Sequence, residues 1–579
     1  MFYFASDNPL AISVVSQLKA IKAAGFHPEA NVVAHFDPYT AGTPTHVFDV
    51  NLISKLKNQH NGKESYNGSC ENDLVVRNMI EDKLWRYERT RPPDEAPMGA
   101  EGEMVRTALH RVLFDNYGID YNPPIAPYSV NGRNNEYVEE LDPETSLSEF
   151  LRFCAENYPA KHYMLFILGH GVVVGNDIFM RDEHTTSKDA LTLTELGRIL
   201  SDFRHRVELE DGKFELVSFQ SCSVSALEVA FELRDTANYM LASQSPTFVG
   251  SWPYQQILKW IFKELGQDQI NRNINVKELL LKIYNYCLLN SLDFLLAGYS
   301  FQVTLCDLTK ICRLKEPIAY LSQALLDGLT DPTSKDHILL AHWKAQSFFN
   351  EMYTDLYDFC FCFNNKLKEM RHCKSSLNPQ LRAIETACNL VMDALVKEGP
   401  NEAGETVEQI IVAADSLGPA YQYSRGLSVL FPWSEPSRDS RVLDEYQRYK
   451  FTADFDDVSW LTFLRGYFTE TMREVSSKED DPRRLPAQAV RNVQTQRLNE
   501  DLVSLVYTGE GLLDQTNALA PGKSDPMDKM GAETENASIK NYPRDIRPRR
   551  ARGRQASRQP FPLTQYVPVL NLNGQNGNE

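Results

Sequence analysis

Tyr163-Met164-Leu165-Phe166-Ile167-Leu168-Gly169-His170-Gly171 is an unbroken apolar run that stops at a glycine-flanked histidine. Some fifty residues on, Phe214 to Phe219 forms a second apolar run and stops at Gln220-Ser221-Cys222. Runs of this length without polar alternation suit strands buried on both faces, which is the habit of parallel sheets. Each strand therefore delivers one reactive side chain where it ends.

Working outward, helical and strand-like segments alternate. Phe2 to Ala5 reads as a strand, Leu10 to Ala24 as a helix closed by Gly25, and Val32 to Phe36 as a second strand. Leu147 to Glu156 and Leu193 to Phe203 flank the histidine strand as amphipathic helices. Ala226 to Leu233 and Tyr239 to Ala242 continue the alternation after Cys222. This order predicts an α/β fold, an αβα sandwich around a mostly parallel central sheet. The catalytic core is assigned to residues 1–250, with an irregular insertion at about 40–140 that carries a helical stretch near Asp73 to Arg89. Residues 251–478 read as a helical region plus a late core strand at 427–431, with a last helix near Trp460 to Met472. Residues 479–579 lose apolar periodicity and carry an arginine cluster from Arg544 to Arg558, so they are expected to be mostly disordered.

The carboxyl ends of parallel strands form the ligand crevice of an open α/β sheet. If the two apolar strands are neighbours, His170 and Cys222 meet there, and the imidazole can take the thiol proton. The amides of Gly171 and Cys222 are placed to receive an oxyanion. The duller alternatives are a packed cysteine after a buried strand and a structural histidine in a glycine turn. The pairing of His with a Cys about fifty residues later favours the chemical one.

The same residues carry a resemblance. Tyr163 to Gly171 is similar to the histidine strand of the clostripain-like cysteine peptidases, and Phe219 through Cys222 to Glu228-Val229-Ala230 is similar to their nucleophile strand and following helix. Met240-Leu241-Ala242-Ser243-Gln244 and Gly250-Ser251-Trp252-Pro253-Tyr254 resemble the next strand and the pocket loop. Asp7-Asn8, Asp355-Leu356-Tyr357-Asp358 and Gly426 to Pro432 extend the likeness over about residues 1 to 473. The resemblance implies a caspase-like sandwich and an endopeptidase working through a Cys222–His170 dyad. It also implies cleavage after Arg or Lys, self-processing in the loop holding Arg181 and Lys188, and calcium dependence in some members. No calcium site is legible, and no other cofactor is expected. Gln220, Ser243 and Gln244 are the pocket candidates. Gln220 stands where the family usually has Asp, and a neutral amide cannot give a guanidinium the charge-assisted contact of a carboxylate. The basic P1 preference is thus in doubt, and a neutral or acidic P1 residue is conceivable. The rival expectation is a non-catalytic scaffold or regulatory binding protein of the same fold.

Composition narrows the rest. The formal net charge of −18 argues against a general nucleic-acid binder, leaving only the arginine-rich tail as a site for nucleic acid or anionic lipid. Peptide or protein substrate is the expected partner, without membrane. No paired CxxC sets occur among the ten cysteines, so a structural zinc is not expected and most should be buried small hydrophobes. No signal peptide or run near the length of a membrane span is seen, which reads as cytoplasmic, or as secreted if the amino terminus is truncated. Asp355 and Asp358 invite a metal reading, but a helix face that caps or faces solvent is favoured. Glu228 is expected to make a structural hydrogen bond, and His162 to lie at the surface. His184 carries no assigned role.

Overall fold

A computed structural model of the chain describes residues 1–6, 10–25, 27–36, 46–49, 143–171, 190–207, 212–267, 275–296, 298–349, 351–372, 377–396, 399–400, 406–407, 409–436, 442–454 and 458–477. Within them the chain runs β1 (Phe2–Phe4), α1 (Ala11–Lys22), β2 (Val33–Phe36), β3 (His46–Asp49), α2 (Pro143–Asn157), β4 (Met164–Leu168) and α3 (Leu193–Arg206). It continues with β5 (Phe214–Gln220), α4 (Leu227–Leu233), β6 (Ala237–Ala242), α5 (Tyr254–Gln267), α6 (Val276–Asn290) and β7 (Phe301–Asp307). After these come α7 (Lys315–Gly328), α8 (Pro332–Lys344), β8 (Ser347–Phe348), β9 (Tyr353–Asp355), α9 (Leu356–His372) and α10 (Pro379–Val396). The short ribbon β10 (Gly399–Pro400) and β11 (Thr406–Val407), then β12 (Ile411–Leu417), β13 (Ser428–Leu430) and α11 (Trp460–Ser477) follow.

The main sheet has eight strands in the order β12-β7-β6-β5-β4-β1-β2-β3. Strands β6, β5, β4, β1 and β2 are parallel, and the antiparallel strands β7 with β12, and β3, flank them. Side-chain alternation divides the core between the two faces. Leu165, Ile167, Val217 and Phe219 join the layer that includes residues of α2, α3, α4 and α7. Phe166, Leu168 and Leu216 join the layer of α1, α5 and α6. Helices thus cover both faces, and the expected αβα sandwich is present. In the second layer Phe2 stacks on Phe166 with centroids 5.0 Å apart, and Tyr254 meets Phe2 edge-on at 5.0 Å. Helix α3 begins at a capping box, Thr192 accepting from the Glu195 amide while the Glu195 carboxylate accepts from the Thr192 amide.

Four strands depart from the expected layout. β7 and β12 extend the main sheet inside the stretch read as mainly helical, so the sheet runs well past residue 250. β3 belongs to the sheet although its residues fall in the expected insertion. The late strand forms at Ser428–Leu430, but pairs with β9 in a separate three-stranded sheet with β8. It touches the neighbourhood of Cys222 through a bridge from Ser428 to Ala226. The remainder of the expected insertion and the arginine-rich tail lie outside the described residues.

The segment Val276–Leu296 is long and apolar enough by composition to cross a membrane. Its greater part is the core helix α6: Leu279, Leu280, Ile283, Tyr284, Cys287 and Leu288 are buried in the second layer. Among the described residues the cysteines are free, and all but Cys312 are buried, in keeping with their role as small hydrophobes.

Candidate active site

The order of the sheet fixes where a site can form. From β1 the chain moves to β2 on one side, whereas β4, β5 and β6 build outward on the other. The strand order therefore reverses between β1 and β4, and the crevice beyond the carboxyl ends of the strands at such a point is where open α/β sheets bind ligands. β4 and β5 pair in parallel with Leu168 opposite Gln220. His170 and Cys222 each follow two residues later, so both leave the sheet at that edge, one strand apart. Both are buried.

Gly171 explains the tight approach of the two strand ends. A Cβ at this position would lie 2.2 Å from the carbonyl oxygen and 2.5 Å from the amide nitrogen of Cys222. Only glycine admits that contact. The backbones whose amides were assigned to the oxyanion are therefore side by side.

Cys222 sits in a sharp turn, and Ser223 takes a left-handed φ of 57°. A non-glycine residue there is strained by about 1 kcal/mol, which the surroundings must offset. The Ser223 amide donates to the Ser245 carbonyl at 3.2 Å, and the Ser225 amide to the Ser243 carbonyl at 2.9 Å. The segment after β6 thus folds over the end of β5. Within it the Thr247 amide donates to Cys222 Sγ at 3.3 Å, and Thr247 Oγ1 donates to the Ser221 carbonyl at 3.3 Å. Trp252 Nε1 donates to Ser218 Oγ at 2.8 Å.

Gln220 follows the same face as Leu216 and points toward Tyr254. Its Nε2 donates to the Phe248 carbonyl at 2.8 Å, and its Oε1 accepts from the Tyr254 hydroxyl at 2.7 Å. Gln244 is similarly engaged. Its amide donates to Gln302 Oε1, its Nε2 to Asp355 Oδ2 at 3.1 Å, and its Oε1 accepts from the Gly426 amide at 3.0 Å. Ser243 Oγ bonds within the loop to the Ser245 backbone and hydroxyl. The three pocket candidates are therefore brought to the site edge as struts that fix its walls. Arg181, Lys188, Asp7, Asn8 and His184 lie outside the described residues.

Asp355 and Asp358 are fully buried rather than facing solvent. Asp355 caps α9, Oδ1 accepting from the Asp358 amide at 2.8 Å, while Oδ2 also accepts from the Arg425 amide at 2.5 Å. Asp358 Oδ2 accepts from the Gln346 amide at 2.8 Å. Backbone donors thus hold both carboxylates, with the Gln244 side chain also donating to Asp355. Among the described residues no cluster of three or more His, Cys, Asp or Glu side chains is arranged to hold a metal ion. His162 is largely exposed and hydrogen-bonds Glu215 at 2.7 Å, as expected of a surface residue.

Glu228, in the helix after Cys222, is fully buried. Its Oε1 accepts from the Leu430 amide at 2.9 Å and from the Tyr446 hydroxyl at 2.8 Å. Its Oε2 has no hydrogen-bond partner among the described residues. Burial pushes its carboxyl up to about 7, against the downward pull of those donors. The carboxyl joins α4, the helix after Cys222, to β13.

A cavity of about 530 Å³ opens among Met164, Phe166, Glu215, Leu258 and Phe262. It lies at the amino-terminal ends of the strands, across the sheet from Cys222.

Among the neighbours of Cys222, Thr247 is one that the sequence does not single out. The signal was a polar run, Ser243-Gln244-Ser245-Pro246-Thr247, following a buried strand. Nothing in it tells which amide reaches the sulfur.

The sequence model of the clostripain family matches residues 129–454. No curated protein matches the chain significantly. Solved structures that align with it include an inactive protease zymogen from Parabacteroides distasonis, at 14% identity over 80% of this chain and 96% of that one, with a TM-score of 0.39. Another is a secreted cysteine protease from Bacteroides thetaiotaomicron in complex with an irreversible peptide inhibitor, at 10% identity over 79% and 98%, with a TM-score of 0.40.

Proposed function

The chain belongs to the clostripain family and is a cysteine peptidase, and from that premise we propose that it is an endopeptidase working through Cys222 and His170. The observation that carries this reading is the register of β4 and β5, Leu168 opposite Gln220, which puts the two side chains at one sheet edge. His170 takes the proton of Cys222, and the thiolate attacks the scissile carbonyl. The carbonyl oxygen becomes an oxyanion, for which the adjacent amides of Gly171 and Cys222 are the donors. Collapse of this intermediate breaks the C–N bond, His170 gives its proton to the leaving amine, and a thioester remains. Water attacks the thioester with His170 as base and restores the thiol.

For the P1 residue, the engagement of Gln220 favours a neutral side chain over Arg or Lys. The amide carries no charge, and its two polar ends are committed to Phe248 and Tyr254. An arginine or lysine entering there would lose hydration without gaining an ion pair at this position. Self-processing at Arg181 or Lys188 is weakened on the same ground. The reaction as written calls for no cofactor.

The experiment is turnover of a fluorogenic peptide library varied at P1, with wild-type protein and Cys222→Ala, before and after limited proteolysis and with calcium added. Turnover that vanishes in the variant supports the dyad, and the preferred P1 reports on Gln220. A folded protein that cleaves nothing under any of these conditions would return the non-catalytic scaffold to first place.

A further inference from the structure

We propose that Thr247 is a positioning residue for the nucleophile, its backbone N–H serving as a donor that holds the thiolate of Cys222. The inference rests on the assignment of Cys222 as nucleophile. Cys222 is 3% exposed, so a thiolate there loses most of its hydration and needs donors from the protein. The Thr247 amide lies 3.3 Å from Sγ. The Thr247 carbonyl lies 3.6 Å from the same sulfur and accepts from the thiol. The two polar groups of one residue therefore face both protonation states. When the S–H bond breaks and its proton bonds to a ring nitrogen of His170, a thiolate and an imidazolium form. The Thr247 N–H is already directed at the new charge, so stabilisation needs no reorganisation.

The side chain makes this placement durable. Thr247 Oγ1 bonds the carbonyl of Ser221, the residue immediately before the nucleophile. On either side of Thr247, Ser245 receives the Ser223 amide and Phe248 receives Gln220 Nε2. The amide is thus fastened to the strand that bears the sulfur, at Ser221, at Gln220 and in the turn after Cys222. Loss of the hydroxyl releases the fastening at Thr247 itself while leaving the N–H in the chain.

The test is the pH dependence of Cys222 alkylation by iodoacetamide in the full-length protein, read by mass spectrometry on the Cys222 peptide. Thr247→Val is expected to move the alkylation midpoint up by about one pH unit, so that labelling below the midpoint slows about 10-fold. Thr247→Ser, which keeps the hydroxyl, is expected to return the profile to within about twofold of wild type. A Thr247→Val profile that superimposes on wild type in a folded protein overturns the proposal, because a purely structural residue would change the melting temperature alone. If Thr247→Val does not fold, amide hydrogen exchange at Thr247 decides. In Cys222→Ala the amide loses its acceptor, and exchange is expected to accelerate about 10-fold or more. Unchanged exchange there overturns the proposal. Alkylation requires no substrate. A shifted profile in a protein that cleaves no peptide would uphold the role of Thr247 and reject the peptidase reading alone.

Discussion

Gln220 and Tyr254 share a buried hydrogen bond of 2.7 Å that ties the end of β5 to the first residue of α5. Because Gln220 also holds the Phe248 carbonyl, it connects β5, the overlying loop and the helix behind it. Gln220→Ala leaves the Phe248 carbonyl and the Tyr254 hydroxyl without this partner. A loss of about 2–4 kcal/mol is expected in urea unfolding. Tyr254→Phe removes a single donor and should cost about half as much. Equal stability of wild type and Gln220→Ala would show that these bonds are replaced by water.

His170 and Cys222 should behave as one unit. Cys222→Ala and His170→Ala are each expected to lower kcat/KM by about 10³-fold or more, and the double variant by little beyond that. Peptide turnover measured on all three proteins checks the non-additivity. Independent, multiplying losses would mean that the side chains act separately.

Gly171→Ala forces a methyl group against the backbone of Cys222. The two strand ends must separate, and the amides assigned to the oxyanion move with them. Turnover should fall about 10²-fold or more. Circular dichroism should stay near wild type if the separation is confined to the sheet edge, and a global loss of structure would contradict a local effect.

Glu228 gives the fold a pH dependence of known sign. Its carboxyl is raised from 4.5 to about 7 in the folded protein, so between these values the folded state keeps a proton that the unfolded state has released. Its contribution to stability is therefore greatest below about pH 4.5, declines as pH rises toward 7, and levels off above. The full span is about 3 kcal/mol. Glu228→Gln keeps the hydrogen-bonding shape and removes the titration. Urea unfolding at pH 5 and pH 8 should show a smaller difference in the variant than in wild type. An unchanged difference would assign the slope to other groups.

The two strands that bring His170 and Cys222 to one sheet edge were legible because they announce themselves: Tyr163 to Leu168 and Phe214 to Phe219 are predominantly apolar, and both form as parallel neighbours. β12 was not, since Ala413-Ala414-Asp415-Ser416 has little intrinsic strand preference and becomes a strand by pairing along β7. β7 itself lies between helices and was absorbed into their pattern. The strand at Ser428–Leu430 was visible, but its partner was not, because alternation specifies a face and leaves the neighbour open. Likewise Gln220, Ser243 and Gln244 were singled out by position alone. Their roles depend on partners such as Phe248, Tyr254, Asp355 and Gly426, which local sequence does not connect to them.

The order in which the sheet is assembled has a consequence for synthesis. The strands bearing His170 and Cys222 emerge early, and β7 can add to β6 once residue 307 is made, yet the strand that covers β7 comes only at residues 411–417. For about a hundred residues of elongation β7 therefore presents an unsatisfied ladder of amides and carbonyls, in a strand whose residues are all buried in the finished protein. An exposed edge of that kind invites pairing with other nascent chains. Chains stopped between β7 and β12 should then be the ones that aggregate or are retained by chaperones, although His170 and Cys222 are already present in them.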